Sequence, residues 1–222
     1  MADFDYGKYR RMVRSFQERD DPTGWFEDFY REAGGDPTAV FWADLAPNPC
    51  LLQWLAKRPS PAAGKKALVI GCGVGDNSEA LSAHGYRVTA FDIARSAIEM
   101  CRKRFPETKV EYRVEDLFRH PPEWREAFDL VWECNTIQIL HGKYRAMTRD
   151  AIVGLVAPGG DVLVSCRSRK EGEQEDDIPL PLTRHEIDGF VRAGLVEQSF
   201  EAYDDDQDPP VPHFFAWYSK SR

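Results

Sequence analysis

Several kinds of feature are scarce in this chain, and each scarcity excludes a class. No apolar run approaches the length needed to cross a bilayer, and residues 1–14 are charged throughout. Neither a signal peptide nor a membrane span is expected, and the implied setting is cytoplasmic. Cysteine is sparse. Cys50, Cys72, Cys101, Cys134 and Cys166 are odd in number, and no pair has C-x-x-C spacing. That argues against a disulfide framework and a structural zinc site, so no metal is expected. Basic residues are outnumbered, 29 Lys and Arg against 37 Asp and Glu, for a formal net charge of -8. Such a field repels nucleic acid. The densest basic run, Arg102-Lys103-Arg104, falls on a predicted helix and reads as a solvated face. Repeats and low-complexity tracts are absent.

What is present suits one α/β domain with an N-terminal extension: 222 residues, 42% of them hydrophobic. Residues 6–33 read as one or two amphipathic helices carrying Tyr9, Phe16, Trp25, Phe26, Phe29 and Tyr30, and Gly34-Gly35 closes the stretch. Phe41 to Pro49 reads as a loop, with Asn48 capping a helix opened by Pro49. The organisation expected is a helical lid or extension over residues 1–58 and a second unit over 59–222. From Ala67 onward strand and helix alternate. Strands are expected at 67–70, 86–92, 109–114, 128–134, 161–166, 195–203 and 213–219. Helices are expected at 77–84, 94–105, 143–156 and 184–193, with Pro158-Gly159-Gly160 ending the third. The alternation implies right-handed crossovers and a mostly parallel sheet with helices on both faces. The last two strands have no helix between them and are expected to pair as an antiparallel hairpin at the edge.

Between the first strand and first helix of that unit lies Gly71-Cys72-Gly73-Val74-Gly75. Glycines there let a ligand approach the backbone and permit positive φ. Asp92 ends the next strand, where a carboxylate can accept both ribose hydroxyls of an adenosine-containing cofactor. A dinucleotide fingerprint needs glycine at position 76, and this chain has Asp76, which would repel a pyrophosphate. A sulfonium amino-acid cofactor has no phosphate, and Asp76 is then placed to meet its ammonium group. Asp76 and Glu79 also have capping-box spacing. The competing readings are a purely structural turn and a nicotinamide oxidoreductase.

The stretch ALVIGCGVGDNSEAL…GYRVTAFDIARSAIEMCRKRFP resembles motifs I and II of class I S-adenosylmethionine-dependent methyltransferases. Glu115-Asp116-Leu117 resembles that family's acid at the adenine amino group. Phe128-Asp129-Leu130-Val131 resembles the strand leading to its active site, and Leu155 to Gly160 its turn before strand five. The resemblance covers about residues 60–220. It implies a Rossmann-like α/β fold with a seven-stranded sheet, and S-adenosyl-L-methionine as cofactor with S-adenosyl-L-homocysteine as product. It also implies a cofactor site drawn from Trp42, Gly71, Cys72, Gly73, Gly75, Asp76, Asp92, Ile93, Asp116, Leu117 and Glu133. The chain departs from many members at Val69, where they carry an acid. Within the class it resembles the thiopurine and thiol/halide methyltransferases. The Phe41-Trp42 loop, the stretch FDLVWECNTIQILH and the segment Ile178 to Thr183 before Glu186 carry that likeness.

Ligands of open α/β sheets bind beyond the carboxyl ends of the strands. Asp92, Asp116, Glu133 and Arg167 are expected there. Glu133 is either a functional acid or a structural hydrogen-bond partner of the cofactor loop. His141 is either a base or an exposed loop histidine. Cys134 reads as a pocket-lining thiol, with Asn135, Gln138 and Arg167 as polar pocket contacts. Trp25 and Phe41 are substrate-pocket candidates. With Phe29 and Trp42 they form either helical core or an aromatic lid, and the loop position of Trp42 favours the lid for it. A thiolate or halide acceptor needs no base, whereas a neutral hydroxyl or a protonated amine does. The expected partner is a small-molecule substrate, with no nucleic acid and no membrane, and the protein is expected as a monomer or homodimer. A catalytically silent cofactor-binding protein of the same fold is the remaining alternative.

Overall fold

The structure is a computed structural model that describes residues 5–60, 62, 64–173 and 179–222. Seven strands form one sheet: β1 Lys66–Ile70, β2 Arg87–Asp92, β3 Glu111–Val114, β4 Phe128–Cys134, β5 Val156–Arg167, β6 Leu195–Asp204 and β7 Pro212–Lys220. Their spatial order is β3-β2-β1-β4-β5-β7-β6. Every pairing from β3 to β5 is parallel, and β7 runs antiparallel to both β5 and β6. The sheet is thus the mostly parallel one expected, with its antiparallel hairpin at one edge. The strand order reverses between β1 and β4, the place where such sheets hold ligands.

Burial explains why β1 lacks alternation. Ala67 to Ile70 are all buried because both faces are covered. Leu68, Ile70, Val131 and Val164 pack into a core on one face with Phe190 and Tyr218. Val69, Leu130, Trp132 and Leu163 pack on the other with Leu51 and Leu81. The helices that matter for the site are α1 Tyr6–Gln17, α2 Trp25–Glu32, α3 Pro49–Ala56, α4 Asp76–Ala83, α5 Arg95–Arg104 and α6 Lys143–Leu155. The Asn48 side chain caps α3, accepting from the amides of Cys50 and Leu51.

Three local expectations change. Asp76 does not cap α4: Gly75 is the N-cap, at φ 100°, and Asp76 is already helical. The helix before β5 ends at Leu155, three residues ahead of Pro158. Gly159 and Gly160 lie within β5, where the backbone oxygens of Phe128 and Ala157 would each stand 3.0 Å from a Cβ on Gly160. The helix expected over 184–193 is two short ones, α7 Arg184–Ile187 and α8 Gly189–Arg192. Thr183 and Glu186 form a reciprocal capping box at the start of α7. Ile178 lies outside the described residues.

Candidate active site

The glycine turn joins β1 to α4, and its three glycines are required for separate reasons. All have positive φ: 56° at Gly71, 55° at Gly73 and 100° at Gly75. A Cβ on Gly71 would stand 2.5 Å from the Thr136 hydroxyl. One on Gly75 would meet the Tyr112 hydroxyl at 2.6 Å and the Cys101 sulfur at 3.2 Å. One on Gly73 would stand 3.2 Å from the Tyr30 hydroxyl. Cys72, buried, bridges from the turn to β2 through its amide, 2.9 Å from the Phe91 carbonyl oxygen.

Asp92, at the end of β2, is the clamp of this turn. Its Oδ2 accepts from the Gly73 amide at 3.0 Å, and its Oδ1 from the Ala94 amide at 2.9 Å. The side chain is almost wholly buried. Burial raises its pKa to about 6, opposed by the amides of Ala94, Gly73 and Ile93. Each carboxylate oxygen has a second lone pair, so the clamp leaves acceptor capacity for ribose hydroxyls. Beyond β3, Asp116 caps a single 3-10 turn, its Oδ1 accepting from the Phe118 amide at 2.8 Å. The other Asp116 oxygen lies 3.8 Å from Arg119, and Leu117 beside it is buried. Glycine turn, Asp92 and Asp116 therefore lie along the carboxyl ends of β1, β2 and β3. That row offers bare backbone at the turn and carboxylate acceptors at Asp92 and Asp116, the groups an adenosine-bearing ligand requires.

Asp76 is engaged elsewhere. Its two oxygens take the Arg104 guanidinium at 2.8 and 3.0 Å, and both side chains are largely buried. Arg104 also donates to the Val74 carbonyl oxygen. This ion pair pins the turn to the end of α5, so an ammonium partner for Asp76 is not needed to balance its charge.

At the end of β4, Glu133 is fully buried. Its Oε1 accepts from the amides of Thr136 at 2.7 Å and Ile137 at 2.9 Å, which fixes the turn that packs Thr136 onto Gly71. Oε2 has no protein partner among the described residues. Burial raises the Glu133 pKa to about 7, against those two amides. The next residues turn sharply: Asn135 is exposed at φ 61°, its amide bonded to the Ser165 carbonyl oxygen. Cys134 is pushed up to about 12, chiefly by burial, and is therefore a thiol. The Asn48 amide group reaches both its sulfur, at 3.8 Å, and the Ser165 hydroxyl, at 3.3 Å. Gln138 is buried, and its side-chain oxygen accepts from the Arg167 amide at 2.6 Å. It splices the β4 loop to the end of β5. Arg167 lies close enough to Tyr9 of α1 to lower that phenol's pKa against the larger rise from burial. His141 stands just before α6, half-buried, with its Nδ1 unpaired among the described residues and close enough to exposed Asp20 of the α1–α2 connection to help lower that carboxyl's pKa.

The N-terminal aromatics form a layer of their own. Trp42 stacks on Phe29 with centroids 4.2 Å apart and donates to the Tyr30 hydroxyl at 3.3 Å. Trp25 is buried and stacks on Phe26. Phe41 packs edge-on against Tyr9 and Trp42. α2 is fastened to α5 through Glu27, which accepts from both the amide and hydroxyl of Ser96. That contact brings Tyr30 over Gly73 and within the field of Asp92, which helps burial raise the phenol's pKa. The sequence reading passed over Tyr30 and Glu27 as site residues. No local motif marks them, because the α2–α5 packing sets their position. Tyr203, Asp205 and His213, at the ends of β6 and β7, were also missed.

A family model described as a methyltransferase domain matches residues 67–160. The ubiquinone biosynthesis O-methyltransferase of Xylella fastidiosa (strain 9a5c) is 33% identical over 187 residues, covering 73% of this chain and 74% of that protein. Its counterpart in Erwinia tasmaniensis is 27% identical over 157 residues, 66% of this chain. The match spans 64% of the Erwinia protein, less than two thirds of its length. Among solved structures, 1,6-didemethyltoxoflavin-N1-methyltransferase of Burkholderia thailandensis superposes with a TM-score of 0.68 at 16% identity, over 100% of this chain and 93% of that one. That protein was crystallised with 1,6-didemethyltoxoflavin and S-adenosylhomocysteine. With the sheet order, the glycine turn and the Asp92 clamp in place, this chain belongs to the class I S-adenosylmethionine-dependent methyltransferases.

Proposed function

We propose that this chain transfers the methyl group of S-adenosylmethionine to a hydroxyl group of a small molecule. The observation that carries the reading is the clamped glycine turn, set beside a polar sheet edge at the ends of β4, β5 and β7. The hydroxyl is favoured because the Xylella relative is named an O-methyltransferase. The thiol or halide acceptors implied by the Trp42 loop and the FDLVWECNTIQILH stretch form the second reading.

In this proposal Asp92 holds the ribose and Asp116 the adenine amino group, while Tyr30 and Trp42 cover the turn. When bound, the cofactor supplies an electrophilic methyl on a sulfonium. This chain's residues position that group, exclude water and align the acceptor. Glu133 acts through the Thr136–Ile137 turn as a positioning residue. Residues 1–58 supply the cover, and 59–222 the sheet domain.

The test is a panel of phenols, thiols, halides and amines with methyl-labelled cofactor, alongside calorimetry with S-adenosylhomocysteine. Methylated phenol with tight product binding supports the proposal. Labelled thiols or halides alone would replace it with the second reading.

A further inference from the structure

Segments far apart in the chain meet beyond β5. Strand register places Arg167 of β5 opposite His213 of β7, and His213 opposite Tyr203 of β6. Cys134 and Ser165 pair two residues inward, on the same face by the alternation of the pleat. The Tyr203 ring stacks on the His213 imidazole, with centroids 5.5 Å apart and 22° between planes.

The imidazole is held from one side. Its Nδ1 lies 2.8 Å from the Val211 carbonyl oxygen and 3.8 Å from Asp205 Oδ2. A carbonyl oxygen only accepts, so Nδ1 carries the hydrogen. In the neutral ring the lone pair is then on Nε2. Asp205 is itself fixed, its Oδ1 accepting from the amides of Val211 at 2.9 Å and Gln207 at 3.1 Å. Only 11% of the His213 side chain is exposed. Asp44, in the loop after Trp42, lies within the electrostatic reach of this ring. Partial burial and the carboxylates of Asp206 and Asp205 raise its pKa, and His213 lowers it. Asp44 is also felt at Cys134, so this loop reaches from the end of β4 toward β7. The charged and titratable groups nearest the imidazole are thus Arg167 from β5, Tyr203 from β6 and Asp205 from the hairpin, with Asp44 of the N-terminal loop within electrostatic reach and Asp206 acting on Asp44.

We propose that His213 is the general base for a hydroxyl acceptor, with the Val211 carbonyl and Asp205 as its positioning groups. The proposal rests on the O-methyl reading above. The acceptor's O–H proton passes to Nε2. The acceptor oxygen bonds the methyl carbon as that carbon's bond to sulfur breaks, the electron pair staying on sulfur. The products are a methyl ether, the thioether and an imidazolium, whose charge Asp205 and Asp44 offset. The imidazolium then returns its proton to water.

Two measurements test this. Long-range proton–nitrogen NMR of labelled protein, with His213 assigned by its loss in His213→Gln, should show the Nδ1–H tautomer. An Nε2–H tautomer overturns the proposal without any turnover assay. In the second, His213→Gln should lose on the order of 100-fold in kcat on phenol at pH 7. It should retain most of the rate on pentafluorophenol, which is ionised at that pH, with S-adenosylhomocysteine affinity unchanged. The phenol deficit should shrink as pH rises toward phenol ionisation. Equal losses on both acceptors, or none on phenol, overturn the assignment. If His213→Gln does not fold, Asp205→Asn serves, with about a tenfold kcat loss on phenol and an unchanged KM expected. No kcat loss in Asp205→Asn also overturns it. Failure of the O-methyl reading shows separately, as a parent protein that binds S-adenosylhomocysteine yet methylates thiols and no hydroxyls.

Discussion

The two sides of the sheet's carboxyl end are built on opposite plans. On the β1–β2 side the backbone does the holding: three glycines at positive φ, an amide from Gly73 and one from Ala94, all organised by one carboxylate. On the β5–β7 side the polar groups are side chains set on one another, with Tyr203 against His213, Asp205 beside it and Asn48 bridging Cys134 and Ser165. A backbone site tolerates almost no substitution at its glycines and so writes a compact motif. A side-chain site can be assembled from positions scattered along the chain, and it can change substrate without disturbing the cofactor.

If that contrast is correct, the largest effect comes from adding one carbon to the backbone half. Gly75→Ala meets both a left-handed φ and the Tyr112 hydroxyl 2.6 Å away. Strain and overpacking together should cost about 4 kcal/mol. Thermal unfolding would then show a melting temperature lower by roughly 8–16 °C. A variant as stable as the parent would mean that the turn is looser than its geometry.

Glu133 sharpens the comparison through pH. Its folded pKa, about 7, lies above the ordinary 4.5. The native state therefore holds the proton longer than the unfolded chain, and this group's contribution is full below pH 4.5 and lost as pH rises through 7. Gln keeps an oxygen for the Thr136 and Ile137 amides and cannot ionise. Relative to the parent, Glu133→Gln should gain up to about 3 kcal/mol between pH 4.5 and pH 8 in urea unfolding. A flat difference would place solvent or a partner on Oε2.

Asp92→Asn probes the clamp itself. One oxygen remains for an amide, and the other becomes an NH₂ facing a donor. Binding of S-adenosylhomocysteine should weaken by roughly 10- to 100-fold in calorimetry, as expected for losing a charge-assisted bond. Unchanged affinity would remove Asp92 from the ribose. The smallest effect belongs to the cover. Glu27→Ala breaks the clasp to Ser96. It should cost about 1 kcal/mol and speed hydrogen exchange in α2, with S-adenosylhomocysteine restoring part of the protection. Exchange in α2 equal to that of β1, with or without ligand, would make the aromatic layer permanent core.

The legible part of this protein follows the same division. The strands, the crossovers and the edge hairpin could be read because apolar runs and helix stops are local signals. Gly71, Gly73 and Gly75 could be read because the main chain itself dictates glycine there, and Asp92 because it ends the strand that follows the turn. Asp76 shows the limit of local reading. Its spacing to Glu79 suggested a cap, but Arg104 at the end of α5 takes its charge, and Gly75 at φ 100° holds the cap position. Glu133 was legible as a residue of consequence, because a carboxylate on a buried strand needs an explanation, while its amide partners were not.

By itself the sequence determined the sheet, the turn and the acid that clamps it. These depend on hydrophobic period and backbone conformation, properties of neighbouring residues. Only the tertiary structure decided that Tyr30 stands over Gly73. It alone set Asp205 3.8 Å from the His213 Nδ1 and brought Asp44 within electrostatic reach of that ring. Those outcomes depend on which distant surfaces pack together. β-register and helix docking set them, across chain separations from the 8 residues of the hairpin between Asp205 and His213 to the 169 between Asp44 and His213, and no spacing rule within the sequence encodes those meetings.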